Sequence, residues 1–137
     1  MALTRYMRAD SRQVIGGSPD LSPLLGTWLN TNPVTDHICR MVILERGGRL
    51  IIHAYGADLP EPIDWGEIEA TPYTSGKSLE AGGFHAAYDF GEIETHLASN
   101  QKLGILVIQS YTSFKDGSGR QSYFTREFFH RPTPTRK

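Results

Sequence analysis

Apolar residues along this chain recur at a spacing of two, in short runs broken by clusters of glycine, proline, asparagine and serine. That period belongs to β-strands, whose successive side chains point to opposite faces. The clearest pair of runs is Ile38 to Arg46 and Arg49 to Tyr55, which meet at Gly47-Gly48. Two glycines reach the positive φ angles of a tight hairpin turn without a Cβ clash. A shorter strand is expected over 24–30, ended by Asn30-Thr31-Asn32-Pro33, because proline brings no N–H to a ladder. Further strands are expected over 64–74, 84–90, 93–98, 103–114 and 120–130, with connections at 56–62, 74–83, 99–102 and 115–119. In the run at 84–90, Phe84, Ala86, Tyr88 and Phe90 share one side, and His85, Ala87 and Asp89 the other. No segment carries a convincing helical period.

About eight strands at near-even spacing predict an all-β fold, a sandwich or a barrel. The connections are short, so neighbours in sequence should be neighbours in the sheet. An antiparallel up-and-down (meander) sheet of eight strands leaves two open edges unless it closes. An eight-stranded antiparallel up-and-down barrel is therefore the expected architecture. Its interior is either filled by side chains or holds one small ligand. Residues 1–22, with a turn at Gly16-Gly17-Ser18-Pro19, form an N-terminal segment, 23–131 the barrel domain and 132–137 a polar tail.

Composition narrows the partners. A chain of 137 residues favours one domain. The formal net charge is −1, yet residues 23–130 carry 8 basic and 13 acidic side chains. An acidic body argues against nucleic acid, which needs a basic face. The single cysteine, Cys39, rules out an intrachain disulfide. The first residues hold no apolar stretch of the kind a secretory signal or membrane span requires. A cytoplasmic protein with no membrane partner is expected.

Leu24-Leu25-Gly26-Thr27-Trp28 resembles the Gly-x-Trp opening of the calycin group, which comprises lipocalins, cytoplasmic fatty-acid-binding proteins and avidins. In that group the tryptophan closes the bottom of the barrel and an arginine from the last strand commonly lies over it. The resemblance implies such a role for Trp28, with Arg126 or Arg131 as the cation. It covers a short motif and the strand count. Fatty-acid-binding proteins place two helices after the first strand, and the seven residues from Thr31 to His37 leave no room for them. Secreted lipocalins usually carry disulfides. The order of elements is closest to avidins, but no biotin-site pattern is present.

With Trp28 inside the barrel, Gly26 and Asn30 share its parity. Asn30 is then either a polar group near the lumen or the cap of its own turn. His53 shares its parity with Tyr55 and is the histidine most expected inside, where an acid–base role is conceivable; a satisfied or exposed histidine is the commoner outcome. His85 and His96 alternate against the apolar side and are expected on the surface. Arg40, between apolar neighbours, either holds a ligand carboxylate or points to solvent. Tyr55, Trp65, Tyr88, Tyr111, Tyr123 and Phe124 can line a ligand cavity or simply pack as strand aromatics. The candidate ligand-binding set is Trp28, Asn30, Arg40, His53, Tyr55, Trp65, Tyr88, Tyr111 and Arg126. Cys39 reads as a packed thiol. No metal-ligand spacing, nucleophile elbow, phosphate loop or dinucleotide fingerprint is present, so no metal and no cofactor are expected.

Two stretches are apolar on both faces. Val42 and Leu44 oppose Met41 and Ile43, and Ile105 and Val107 oppose Leu106 and Ile108. One face can line a barrel, and the other needs a cover: a second subunit, giving a homo-oligomer, or residues 1–22 folded back. Three functions fit this reading. The first is binding of a small, largely apolar or aromatic molecule in the cavity. The second is a cyclase or isomerase on the same scaffold, acting mainly by positioning. The third is a structural or interaction module with a filled barrel.

Overall fold

A computed structural model describes residues 13–133. Eight strands form one sheet: β1 (Gly26–Asn30), β2 (Ile38–Arg46), β3 (Arg49–Gly56), β4 (Ile63–Thr74), β5 (Ala81–Asp89), β6 (Ile93–Lys102), β7 (Ile105–Phe114) and β8 (Tyr123–His130). Each strand pairs antiparallel with its sequence neighbour, and β8 returns to β1 through Leu29 opposite His130 and Asn30 opposite Phe129. The result is a closed up-and-down barrel with no free edge. Helical structure among the described residues is confined to a single 3-10 turn, Ser22–Leu24, and no helix is long and apolar enough to cross a membrane.

The organising hairpin forms as its sequence predicts. Gly47 and Gly48 take φ of 61° and 81°, and Arg46 faces Arg49 across the turn. The β6–β7 hairpin uses the same device with less obvious residues. Leu103 and Gly104 take φ of 54° and 79°, so Lys102 faces Ile105 and Ser99 to Lys102 belong to strand rather than turn. β5 begins at Ala81, three residues before the expected start, because Ala81 and Gly83 pair with Thr74 and Tyr73 despite the low strand preference of glycine.

The barrel has two unlike ends. At one, the β2–β3, β4–β5 and β6–β7 turns surround the start of β1 and the end of β8. This end is closed. Trp28 is fully buried, and its indole N–H donates to the Leu24 carbonyl at 2.9 Å. The Arg131 guanidinium lies 4.1 Å over the indole ring and donates to the carbonyls of Pro23 and Leu25, each at 3.0 Å. Leu21 and Leu24 plug the space beside it. The segment before them is tied along the β4–β5 connection, with the Ile15 N–H on Gly76 and the Asp20 N–H on Leu79. Above Trp28 the interior is packed by Met41, Ile52, Phe84, Tyr88, Leu97 and Ile108. The opposite end, where the 31–37, 57–62, 90–92 and 115–122 connections meet, is open.

Candidate functional site

The open end holds a cavity of about 430 Å³, within the range of small-molecule sites. Its walls come from the open-end portions of β3, β4, β6, β7 and β8 and from the 31–37, 57–62 and 90–92 connections. Trp65, Phe90, Phe114 and Tyr123 supply aromatic surface, Ile93 an aliphatic side, and Thr95 and Thr112 polar groups from neighbouring strands. The two threonine hydroxyls hydrogen-bond each other at 3.0 Å and are buried. Gly56 matters to the shape. A Cβ there would stand 2.5 Å from Trp65 Nε1, so only glycine at the end of β3 lets the indole lie across it.

Trp65 is held edge-on against Tyr88 and Phe90, each 5.4 Å away between ring centres. Below it, the Tyr88 hydroxyl accepts from the Ala54 N–H at 2.9 Å and donates to the Gly66 carbonyl at 2.8 Å. The β3–β4 ladder shifts register between His53 and Tyr55, and the phenol bridges two backbone groups at that irregularity. Burial pushes the Tyr88 phenol up to about 12, so it remains a neutral donor.

His37 is the group the pattern of the sequence missed. It lies in the 31–37 loop, outside any strand, where alternation carries no information. The loop folds across the mouth. Its Thr35 hydroxyl donates to Glu127 at 2.7 Å, and the Ala57 N–H donates to the His37 carbonyl at 2.7 Å. The His37 ring stands edge-on to Trp65 at 5.5 Å and to Tyr123 at 6.2 Å. It is 8% exposed, and neither ring nitrogen has a hydrogen-bond partner among the described residues. Burial lowers its pKa, against the opposing pull of the Glu127 and Asp36 carboxylates, so the imidazole is neutral at pH 7. The available signal was the spacing of a loop too short for helices yet bracketed by strands.

The other expected site residues separate. Trp65 lines the cavity. Tyr88 is 2% exposed and spends its hydroxyl on backbone beneath the cavity. Trp28 sits at the closed end. Asn30 caps its own turn, donating to Ile38 and accepting from the Asn32 N–H. His53 and Tyr55 are on the outer wall, contrary to the expectation from their parity. Trp28 faces Met41, which faces Ala54, so the inward set on β3 is Leu50, Ile52, Ala54 and Gly56. There His53 stacks on Tyr55 at 4.5 Å and pairs with Asp64, while Arg40 covers the other side of Tyr55 at 4.1 Å. Arg40 therefore faces neither the cavity nor a ligand carboxylate in it, and its buried Nε has no partner. Tyr111 and Phe124 pack together on the outside of β7 and β8, 47% and 64% exposed. Arg126 lies over Phe128 on that outer face, and the cation over Trp28 is Arg131. His85 and His96 neighbour each other outside the barrel.

The charge at the open end is one-sided. Its loops carry Asp36, Asp58, Glu61, Glu92 and Asp116, with Asp64 and Asp89 at the adjoining strand ends. The cations there, Lys115 and Arg120, are already paired, with Asp89 and Glu94 and with Asp116 respectively. Arg120 also lies over the Phe114 ring at 3.9 Å. The cavity lining contains Asp36 and Asp64 and no lysine or arginine. No group of three or more His, Cys, Asp or Glu among the described residues could hold a metal ion.

The fold and the cavity thus define a closed, eight-stranded antiparallel barrel with one plugged end and one open, aromatic-walled end. No protein-family model, no curated protein and no solved structure matches the chain.

Proposed function

We propose that this chain is a calycin-like barrel that binds a small, largely apolar or aromatic molecule in the cavity at its open end. The observation that carries the reading is the cavity itself: about 430 Å³ walled by Trp65, Phe90, Phe114 and Tyr123, with the partnerless His37 ring at its side. An imidazole that lines the cavity and bonds no other described residue is a polar handle for a ligand. The Trp28–Arg131 closure supports the calycin-like reading. The open cavity weighs against a barrel filled by its own side chains.

The test is titration with N-phenyl-1-naphthylamine, a neutral aromatic dye whose fluorescence rises in apolar surroundings. Saturable binding of one dye per chain is expected. Ala57→Trp, at a half-buried position lining the cavity, should abolish it while leaving the far-ultraviolet circular dichroism intact. Equal binding by this variant would refute the location.

His37 also favours the cyclase or isomerase reading. A neutral imidazole lining an aromatic cavity is equipped to move a proton on a substrate held there. On this reading His37→Gln retains binding and loses turnover.

The outer walls support self-association. Val42, Leu44 and Ile51 are half-buried on the outside of β2 and β3, and Tyr111, Phe124 and Phe128 form an exposed apolar face on β7 and β8. A second copy of the chain packed on such a face gives a homo-oligomer.

A further inference from the structure

The ligand class of the proposed cavity can be narrowed by charge and hydrogen-bonding polarity. We propose that the open-end cavity is selective for an aromatic amine in its protonated form, an aryl or indolyl group bearing an ammonium, and discriminates against carboxylates. The inference rests on the cavity being a binding site.

Three independent observations converge on it. The first is the sign of the field. Of the carboxylates in the lining and rim, Asp64, Asp89 and Asp116 are engaged by His53, Lys115 and Arg120, whereas Asp36, Asp58, Glu61 and Glu92 have no ion-pair partner among the described residues, and the lining holds no lysine or arginine. A cleft lined by one sign of charge concentrates the opposite ion. The second is the unmet hydrogen bonding of His37. The residue is 8% exposed and lines the cavity, and burial lowers its pKa, so the neutral ring offers one lone pair and one N–H, neither used by another described residue. Glu127, which pulls on the same ring electrostatically, is also an acceptor. The Thr95 and Thr112 hydroxyls are engaged with each other. The ring lone pair and the Glu127 carboxylate are acceptors that an ammonium satisfies with its N–H groups, whereas a carboxylate can use only the ring N–H and meets Glu127 with like charge. The third is the aromatic wall. Trp65, Phe90 and Tyr123 share one cavity with Phe114, over which the Arg120 guanidinium already lies, and ring faces attract a cation.

This sets the cavity apart from barrels that hold fatty acids, whose anionic head needs a buried cation. Arg40, the side chain best suited to that task by sequence, stands on the outside over Tyr55.

The experiment compares three 3-substituted indoles of positive, zero and negative charge, tryptamine, 3-methylindole and indole-3-acetate, by calorimetry at pH 7 with NMR detection of the Trp65 indole N–H. Tryptamine is expected to bind at least tenfold more tightly than 3-methylindole, and indole-3-acetate more weakly than either. Raising NaCl from 50 to 500 mM should weaken tryptamine alone. Asp36→Asn changes an exposed side chain with no side-chain hydrogen bond of its own among the described residues, and should lower tryptamine affinity several-fold without altering 3-methylindole. Binding of 3-methylindole as tight as that of tryptamine would overturn the amine preference and leave the cavity reading standing. Failure of all three to perturb Trp65 at millimolar concentration would overturn both. Loss of affinity for tryptamine and 3-methylindole alike in Asp36→Asn would likewise count against a charge role.

Discussion

Replacing Trp28 by alanine tests the closed end most directly. The ring is fully buried, its N–H is bonded to Leu24 at 2.9 Å, and Arg131 lies 4.1 Å above it. Truncating a buried tryptophan to alanine typically costs about 3–5 kcal/mol. Here the Leu24 carbonyl also loses its donor, which adds to the desolvation penalty, so the upper half of that range is expected. A domain with a stability of about 5–15 kcal/mol survives such a loss in most cases. Urea unfolding followed by circular dichroism reads it without relying on the deleted fluorophore. With m of about 1.5–2 kcal/mol/M the midpoint should fall by roughly 2–3 M. Two arginine variants serve as internal controls. Arg131→Ala should lower stability by about 1 kcal/mol, allowing for the exposure of the pair, while Arg126→Ala should stay within about 0.5 kcal/mol of the parent. A loss below about 1 kcal/mol for Trp28→Ala, or a larger effect at Arg126 than at Arg131, would refute the account of the closed end.

Tyr88→Phe keeps the ring but strips the hydroxyl from the Ala54 N–H and the Gly66 carbonyl, so chemical denaturation should show a loss of about 2–4 kcal/mol; an effect near zero would mean that water serves both groups. His37 gives a pH dependence with a definite sign. Its folded pKa lies below the ordinary 6.5, so the unfolded chain binds the extra proton first and stability declines as pH falls through about 6.5. Melting temperature followed from pH 8 to pH 5 should decrease, and His37→Gln should flatten that part of the curve. The carboxylates Asp64, Glu67, Asp89 and Glu94, all lowered by partners, contribute stability present above their ordinary range and lost only at more acid pH, so the two windows separate. Native mass spectrometry at micromolar concentration should show a species larger than the 15.3 kDa chain; a bare monomer would remove self-association through the walls.

The residues by themselves determined the strands, their order and the closure. The glycine pair at 47–48 announces its hairpin because a positive φ at two successive positions leaves few other residues eligible, and eight short strands with short connections have one economical way to remove their edges. The stretch 103–104 announced itself less well, since leucine at a positive φ is an unfavourable choice that no local rule anticipates. Trp65 was legible as a cavity candidate and lines it. What only the tertiary structure decided is which face looks inward and what the loops bring to the mouth. On β2 and β3 both faces are apolar, so alternation could not distinguish His53 and Tyr55 from Ile52 and Ala54. The choice was made by register, Trp28 to Met41 to Ala54, a relation between strands rather than along one. Arg131 reaches Trp28 and Arg126 does not because β8 ends beside the start of β1, and only the residue past that end can fold over the plug. His37 enters the cavity through a loop, where neither period two nor period 3.6 applies. Its environment of Trp65, Tyr123, Asp36 and Glu127 is assembled from β4, β8 and its own loop.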